Sequence, residues 1–413
     1  MRELGLGFVG LGQAVSLILR RKEELAGLPY RIVAAAERPE RAGALKTFEN
    51  EFGGRGYTSV EELCQDPDVD VLYIATLPEI RLEQVRVAAE HGKHVIVEKP
   101  MATDLDEAHE MIAVAEAAGI KLLAGHTHSF DAPILAMEQL VRAGEIGELL
   151  SILSFNYNDF NVRPWPTREL IATHGPVYNQ GPHQIDIVRQ LGGGLVETVR
   201  ASTFWDELRG CEGGYTCHLT FQGGASASLV FDARGYFDSA ELYGWVGEGG
   251  QRRDPETSRR MRASFAETAA AADSTDDFEQ RLEAHKELGR YGAEGVSDDA
   301  LARFGYSRAE TPYQPFFGYT LVSGTRGVIR QSRTGLVVYG PNGPEERTIE
   351  HQLKGRAAEL SELYHAITED RPVRHDGRWG LATLEVCLAI VRSAAEDREI
   401  RMHHQLAMPD VGA

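Results

Sequence analysis

The first third of the chain alternates two hydrophobic patterns. Short, nearly continuous apolar runs are separated by longer stretches in which apolar positions recur every three or four residues. The run from Leu4 to Val9 breaks at Gly10 and Gly12 and turns helical through Leu17, Ile18 and Leu19. Tyr30 to Ala36 reads as a second strand, ending at Glu37-Arg38, and a helix follows from Pro39 to Phe52. Asp70 to Ala75 is a strand, Glu79 to His91 a helix stopped by Gly92, and His94 to Val97 a strand. Asp104 to Ala118 is a helix with Thr103 or Asp104 as cap, and Ile120 to Ala124 is one more strand. Strands separated by helices of this length predict a parallel sheet with right-handed crossovers.

Beyond Gly125 the pattern changes. Leu149 to Asp159, Thr198 to Trp205, Tyr215 to Phe221 and Ala225 to Phe231 alternate partially and read as strands. Strands resume at Tyr319 to Ile329 and Gly335 to Tyr339, and helices run from Lys354 to Thr368 and from Leu381 to Ala395. Between them, Glu248 to Glu310 is charged, alanine-rich and poor in strand formers, so a mobile helical insertion is expected there. The predicted fold is an α/β N-terminal Rossmann domain (1–125) joined to an α+β C-terminal domain (126–413). The second domain carries an open mixed, largely antiparallel sheet, the insertion near 248–310 and the closing helices.

Composition narrows the function classes. The 413 residues are 42% apolar and 25% charged, enough for a buried core without disulfides or metal. A net charge of −19 argues against a nucleic-acid partner. No apolar run is long enough to span a membrane, and no signal peptide precedes the first strand. Cys64, Cys211, Cys217 and Cys387 lack zinc-site spacing and read as buried free thiols. The expected location is the cytoplasm.

A glycine turn between a first strand and its helix leaves backbone N–H groups facing outward, where they bind a pyrophosphate with the help of the helix dipole. Gly10 and Gly12, followed by Gln13 and Ala14, supply that turn. The third glycine of the dinucleotide fingerprint falls on Val15, which is expected to hold the helix slightly away from the strand. Glu37 ends the second strand, where a carboxylate accepts hydrogen bonds from the adenosine ribose and repels a 2′-phosphate. NAD is therefore favoured, while Arg38 beside it leaves NADP open.

At Glu98-Lys99-Pro100 the chain resembles the Gfo/Idh/MocA oxidoreductases, which carry such a tripeptide in a loop facing the nicotinamide. The likeness continues through Gly175 to Asp186, which resembles the family's substrate-site helix, and returns at Arg371-Pro372 and Asp376 to Leu381. The resemblance implies that Lys99 helps move the hydroxyl proton and orients substrate, and that His183 is the acid–base. It places Glu98, Thr76 and Leu77 at the cofactor. Both catalytic roles suit alcohol oxidation, in which a hydride and a hydroxyl proton must leave. Two positions depart from the family. Asn179 stands where an aspartate is usual four residues before the histidine. It can orient an imidazole but cannot stabilise an imidazolium by charge, so His183 is less basic or another residue assists it. The loop Thr76-Leu77-Pro78-Glu79-Ile80-Arg81 differs from the usual Thr-Pro pattern, so contacts to the nicotinamide ribose are expected to differ.

Candidate substrate residues are His126 and His128 after the last Rossmann strand, then Asp159, Arg163, Arg168 and Gln180, with Asn161 and His174 nearby. Arginines here would clamp a carboxylate. No carboxylate pattern accompanies the two histidines, so no metal is expected. Tyr157 to Phe160, Arg163-Pro164, Asn179 to Gln184 and Gln314 to Val338 are similar to the branch containing dehydrogenases of 4,5-dihydroxy-4,5-dihydrophthalate. That likeness implies oxidation of a cyclic cis-dihydrodiol carboxylate to a catechol, with Arg163 holding the carboxylate. A sugar or inositol dehydrogenase, a glycosidase that oxidises its sugar transiently on bound NAD, and a cofactor-binding sensor remain alternatives. An open sheet face predicts a homodimer or homotetramer.

Overall fold

Six short strands, nearly all apolar, make one parallel sheet: β1 (Leu4–Val9), β2 (Tyr30–Ala36), β3 (Arg55–Tyr57), β4 (Val71–Ile74), β5 (His94–Glu98) and β6 (Leu122–Gly125). Their order is β3-β2-β1-β4-β5-β6, and every pairing is parallel. The computed structural model describes residues 2–20, 22–163, 174–293, 311–350, 353 and 355–409. Both faces of the sheet are covered, which explains why its strands read as continuous apolar runs rather than alternating ones. On one face lie helices Gln13–Arg20 and Ala42–Phe52; on the other lie Val60–Gln65, Arg81–Glu90 and Leu105–Ala118. Asp104 is the cap of the last of these, accepting from the Glu107 amide at 2.9 Å, and Gly119 ends it with φ 68°.

The second sheet has nine strands in the order β14-β13-β12-β11-β7-β10-β9-β8-β15. They are β7 (Leu149–Tyr157), β8 (Val196–Asp206), β9 (Cys211–Phe221), β10 (Ser226–Asp232), β11 (Tyr319–Gly324), β12 (Val328–Ser332), β13 (Gly335–Gly340), β14 (Gly343–Thr348) and β15 (Ile400–Arg401). Only β10 and β7 pair in parallel. The single run expected over Tyr319 to Ile329 is a hairpin, because Gly324 and Gly327 turn the chain between β11 and β12. One face of this sheet packs under helices Ala132–Arg142, Gly181–Leu191 and Gly377–Glu396. The other face is partly open and carries an aromatic row in which Phe155 stacks on Tyr319 at 5.3 Å.

The chain beyond residue 126 does not stay with its own sheet. Helix Gly355–Thr368 returns to the first sheet, where Leu360, Leu363 and Tyr364 pack with Leu4, Leu6 and Phe8. The last helix joins both cores, through Leu381 and Leu384 on one side and Val386, Cys387 and Ile390 on the other. The cleft between the lobes is therefore bridged from behind by helices that belong to neither alone.

The insertion is helical where described, at Thr257–Ala270 and Thr275–Gly289, and it is not a free excursion. Phe265 and Leu282 pack on Val162, and Arg209 pairs with Glu279 at 2.8 Å. Its end docks on the first lobe, where Ser16 Oγ and Arg41 Nη2 donate to the carbonyls of Gly289 and Tyr291. Residues 294–310 lie outside the described residues. All four cysteines are buried free thiols, and among the described residues no helix is long and apolar enough to cross a membrane.

Candidate active site

The cofactor cradle forms where β1 meets its helix. Gly10 adopts φ 84°, and a Cβ there would lie 3.1 Å from Thr76 Cγ2 and 3.3 Å from the Ala75 carbonyl, so only glycine suits the turn. At Gly12 a Cβ would meet only the Ala75 carbonyl, at 3.8 Å, so its approach face is open. Ser16 is the first amide of the helix bonded to a preceding carbonyl, that of Gly12; the amides of Gln13, Ala14 and Val15 are left at the helix N-terminus, whose first turn holds no acidic residue. Val15 itself is wholly buried in the core of this lobe.

Glu37 is aimed back at the turn. Its Oε2 accepts from the Leu11 amide at 2.9 Å and from Arg41 Nη1 at 2.6 Å, and its Oε1 accepts from the Arg38 amide at 2.9 Å. The carboxylate is only 7% exposed, and Oε1 keeps a lone pair for a ribose hydroxyl. Arg38 is 67% exposed and stands 3.9 Å away, so the arginine engaging Glu37 is Arg41, which the sequence reading missed. Its i+4 spacing from Glu37 was the available signal. These features fit NAD: anion-seeking amides at a glycine turn, and a fixed carboxylate where a 2′-phosphate would clash in charge.

Thr76 and Leu77 follow β4 beside this turn. Thr76 Oγ1 donates to Gln84 Oε1 at 2.6 Å, and Leu77 is exposed. Buried Arg81 joins this loop to the next, donating to the carbonyls of Thr76, Glu98 and Pro100. Glu98, expected at the cofactor, is engaged by the chain's own side chains. Its Oε1 accepts from the Tyr73 hydroxyl at 2.8 Å and from Arg356 Nη2 at 2.9 Å. Burial pushes this carboxyl up, but Arg356 and then Lys99 outweigh it and hold it below its ordinary range.

Lys99 crosses the cleft. Its Nζ donates to the Asn179 backbone carbonyl at 2.9 Å and to Asn179 Oδ1 at 3.3 Å. Burial lowers its pKa to about 8, against the pull of Glu98. Asn179 Oδ1 also accepts from Gln180 Nε2 at 2.8 Å, so Asn179 holds the lysine rather than orienting His183. His183 stands in the first turn of its helix, 6% exposed, with Nδ1 buried and unpartnered. Burial, followed by the Lys99 charge, pushes its pKa well below the ordinary histidine value. Its ring meets His128 edge-on at 4.9 Å and Phe317 at 5.1 Å, while His128 stacks on Phe317 at 4.4 Å. Lys99, Asn179, His183 and His128 are thus brought together.

Other candidates take different positions. His126 is buried, with Nδ1 3.5 Å from Asp186 Oδ1. Asp159 is buried against Arg163 at 2.7 Å and Arg253 at 2.8 Å. Burial raises its pKa, but those two arginines prevail and hold it below the usual carboxylate range. Arg163 also donates to Glu248 Oε1 at 2.9 Å, so the clamp expected for a substrate carboxylate is already filled by carboxylates of the chain. The reason is that the insertion, whose packing no local pattern announces, brings Glu248 and Arg253 to this loop. Asn161 donates to Asp206, and His174 Nδ1 lies 3.0 Å from Glu212. Arg168 lies outside the described residues. Among the described residues no group of three or more His, Cys, Asp or Glu side chains could hold a metal.

Sequence reasoning also missed Glu359, which arrives on helix Gly355–Thr368 beside Arg356 with no local motif. It is fully buried, with no ion pair among the described residues, and burial followed by the Glu98 charge raises its pKa to about 8. The folded protein thus keeps this proton up to about pH 8, whereas an unfolded glutamate releases it near its ordinary 4.5. The resulting stability is complete below the ordinary value and is lost as pH rises through the folded one. Glu359→Gln mimics the protonated carboxyl. Its melting temperature is therefore expected to fall less than that of the unaltered protein between about pH 5 and about pH 8. Parallel melting curves for the two proteins would contradict this.

Known proteins resemble the chain over most of its length. Residues 4–126 match the profile of an oxidoreductase family with an NAD-binding Rossmann fold, and residues 134–248 match the GFO/IDH/MocA C-terminal domain. The chain is 31% identical over 394 residues to 1-carboxy-3-chloro-3,4-dihydroxycyclohexa-1,5-diene dehydrogenase of Comamonas testosteroni, covering 94% of each chain. A crystal structure of a protein from Bordetella bronchiseptica RB50, named as a dehydrogenase, superposes with TM-score 0.84 at 31% identity, covering 97% of this chain and 100% of that one. Levoglucosan dehydrogenase in complex with NADH and L-sorbose superposes with TM-score 0.68 at 19% identity, covering 97% and 99%, a likeness of fold.

Proposed function

The chain belongs to the Gfo/Idh/MocA oxidoreductases, and on that premise we propose that it dehydrogenates a ring-borne diol, a cis-dihydrodiol carboxylate of the dihydroxy-dihydrophthalate kind. The observation that carries the reading is the Lys99 ammonium, held across the cleft by Asn179 beside two edge-packed imidazoles. When bound, NAD supplies the acceptor for the hydride. Gly10, Gly12, Gln13 and Ala14 hold its pyrophosphate and Glu37 its ribose. Arg38, directed outward, leaves the preference for NAD over NADP to Glu37.

The remaining chemistry is the chain's own. Lys99 stabilises negative charge as it develops on the substrate oxygen, and with burial lowering its pKa to about 8 it exchanges a proton readily near neutrality. The rings of His128 and Phe317 make a flat wall suited to a cyclic substrate. Arg163 keeps Asp159 as its buried partner, while Glu248, 36% exposed, is the partner a substrate carboxylate would displace. The likeness to a dehydrogenase named for a carboxylated dihydroxycyclohexadiene supports this substrate class. The partly open aromatic face of the nine-stranded sheet supports pairing between copies of the chain.

A panel of cis-dihydrodiol carboxylates, sugars and inositols, each with NAD and with NADP, tests the reading by the absorbance of reduced nicotinamide. Reduction of NAD with the dihydrodiol carboxylates is the expected result. Turnover confined to sugars or inositols, or bond cleavage without net reduction, would overturn it.

A further inference from the structure

An imidazole that accepts a proton during catalysis is helped by a carboxylate on its other ring nitrogen, which sets the tautomer and stabilises the imidazolium. His183 has no such partner. Asn179 is uncharged and faces Lys99, and His183 Nδ1 is buried alone. His126 lies 3.5 Å from Asp186, beyond good hydrogen-bond range for its buried Nδ1. His128 is different. Its Nδ1 lies 2.9 Å from Asp131 Oδ2. Asp131 is buried at the N-cap of helix Ala132–Arg142, yet its side chain makes no cap bond and turns to the histidine instead. We infer that His128, oriented by Asp131, takes the hydroxyl proton, while His183 serves as a hydrogen-bond partner of the substrate oxygen. This rests on the dehydrogenase reading above.

The geometry supports each part of the role. A carboxylate only accepts, so Nδ1 of His128 carries the hydrogen and Nε2 keeps the lone pair. The ring is 16% exposed and its plane is set by stacking on Phe317, so its outer edge is available to the cleft. The groups in contact with it are Asp131 from its own turn and the His183 ring from its helix, and the charge of Glu248, ahead of the insertion, also interacts with it. The charges bearing on His183 are, in order, those of Lys99, His128, His126 and Arg356. Of the two rings, His128 is the one with a ring nitrogen on a carboxylate, while Nδ1 of His183 is buried without a partner.

In the step, the substrate O–H bond breaks and its proton goes to His128 Nε2. The oxygen's electron pair forms the carbonyl, and NAD, held at Gly10, Gly12 and Glu37, would accept the carbon's hydrogen with its bonding pair. The imidazolium then returns its proton to water. In a dihydrodiol, the resulting dienone moves its remaining ring proton to oxygen and becomes the catechol.

The test compares His128→Asn, His183→Asn and Asp131→Asn in the NAD-loaded protein. His128→Asn is expected to lower kcat about a hundredfold or more and to remove the acid limb of the kcat/KM profile. His183→Asn should keep that limb. Asp131→Asn, which keeps the side chain's shape and removes no cap bond, should lower kcat tenfold or more with KM and NADH affinity little changed. Imidazole nitrogen NMR of the NADH-bound protein gives a reading independent of turnover. His128 should hold its hydrogen on Nδ1, and Asp131→Asn should release it to a mixture of tautomers. Loss of the acid limb in His183→Asn but not in His128→Asn, an unchanged kcat in Asp131→Asn, or mixed tautomers at His128 would each overturn the inference. If no substrate turns over, the dehydrogenase reading fails instead, and the NMR result alone decides on the dyad.

Discussion

Lys99→Ala is expected to lower turnover about a thousandfold while NADH affinity stays within a few-fold. The ammonium stands in the cleft, not at the glycine turn, and its two bonds go to Asn179 on the opposite lobe. A donor aimed at developing oxyanion charge contributes in the transition state and little in the ground state, so its loss appears in kcat. A thousandfold corresponds to about 4 kcal/mol of barrier. The cofactor's own holders, Gly10, Gly12 and Glu37, are untouched by the change. Steady-state kinetics with a fluorescence titration of NADH separates the two quantities. Equal losses in turnover and affinity would show that the lysine only joins the lobes.

Asp186→Ala is expected to destabilise the protein by on the order of 3–5 kcal/mol, read as a large drop in melting temperature. This carboxylate is fully buried where the closing helices meet the substrate lobe. Its Oδ1 accepts from Trp379 Nε1 at 2.6 Å and from Thr383 Oγ1 at 2.7 Å, and its Oδ2 accepts from Ser129 Oγ at 2.5 Å. Burial raises its pKa, but His126, His375, Arg189 and the Ser129 hydrogen bond outweigh it and hold the carboxyl below its ordinary range. Removing it leaves the buried Arg189 guanidinium, 3.9 Å away and stacked on Trp379 at 4.0 Å, without its counter-charge. Asp186→Asn keeps the shape and should cost less. A melting temperature unchanged in Asp186→Ala would contradict this account of the bridge between the lobes.

What could be read from the sequence was what is local. The alternation of apolar runs and helical stretches gave the parallel sheet, because both of its faces are covered and each strand is a short apolar block. Gly10 could be recognised because a left-handed turn selects glycine. Lys99 and His183 came from motifs of a few residues, and the structure brings them to one cleft. Partners supplied by distant segments were not legible. Arg356 and Glu359 reach the first lobe from a helix more than two hundred residues later, and Glu248 reaches Arg163 from the head of the insertion. For that reason the pairing of Glu98 with Arg356 and of Arg163 with Glu248 could not be foreseen. Asp131 was within reach of sequence reasoning, since a carboxylate three residues after His128 is a spacing that one turn of helix closes.

The most direct measurement of the central claim follows deuterium from the carbinol carbon. With a dihydrodiol carboxylate labelled there and NAD in excess, the account predicts that each turnover places the label on the reduced nicotinamide, seen by mass spectrometry of the isolated NADH. Label released to water, or consumption of substrate without any reduced cofactor, would contradict it.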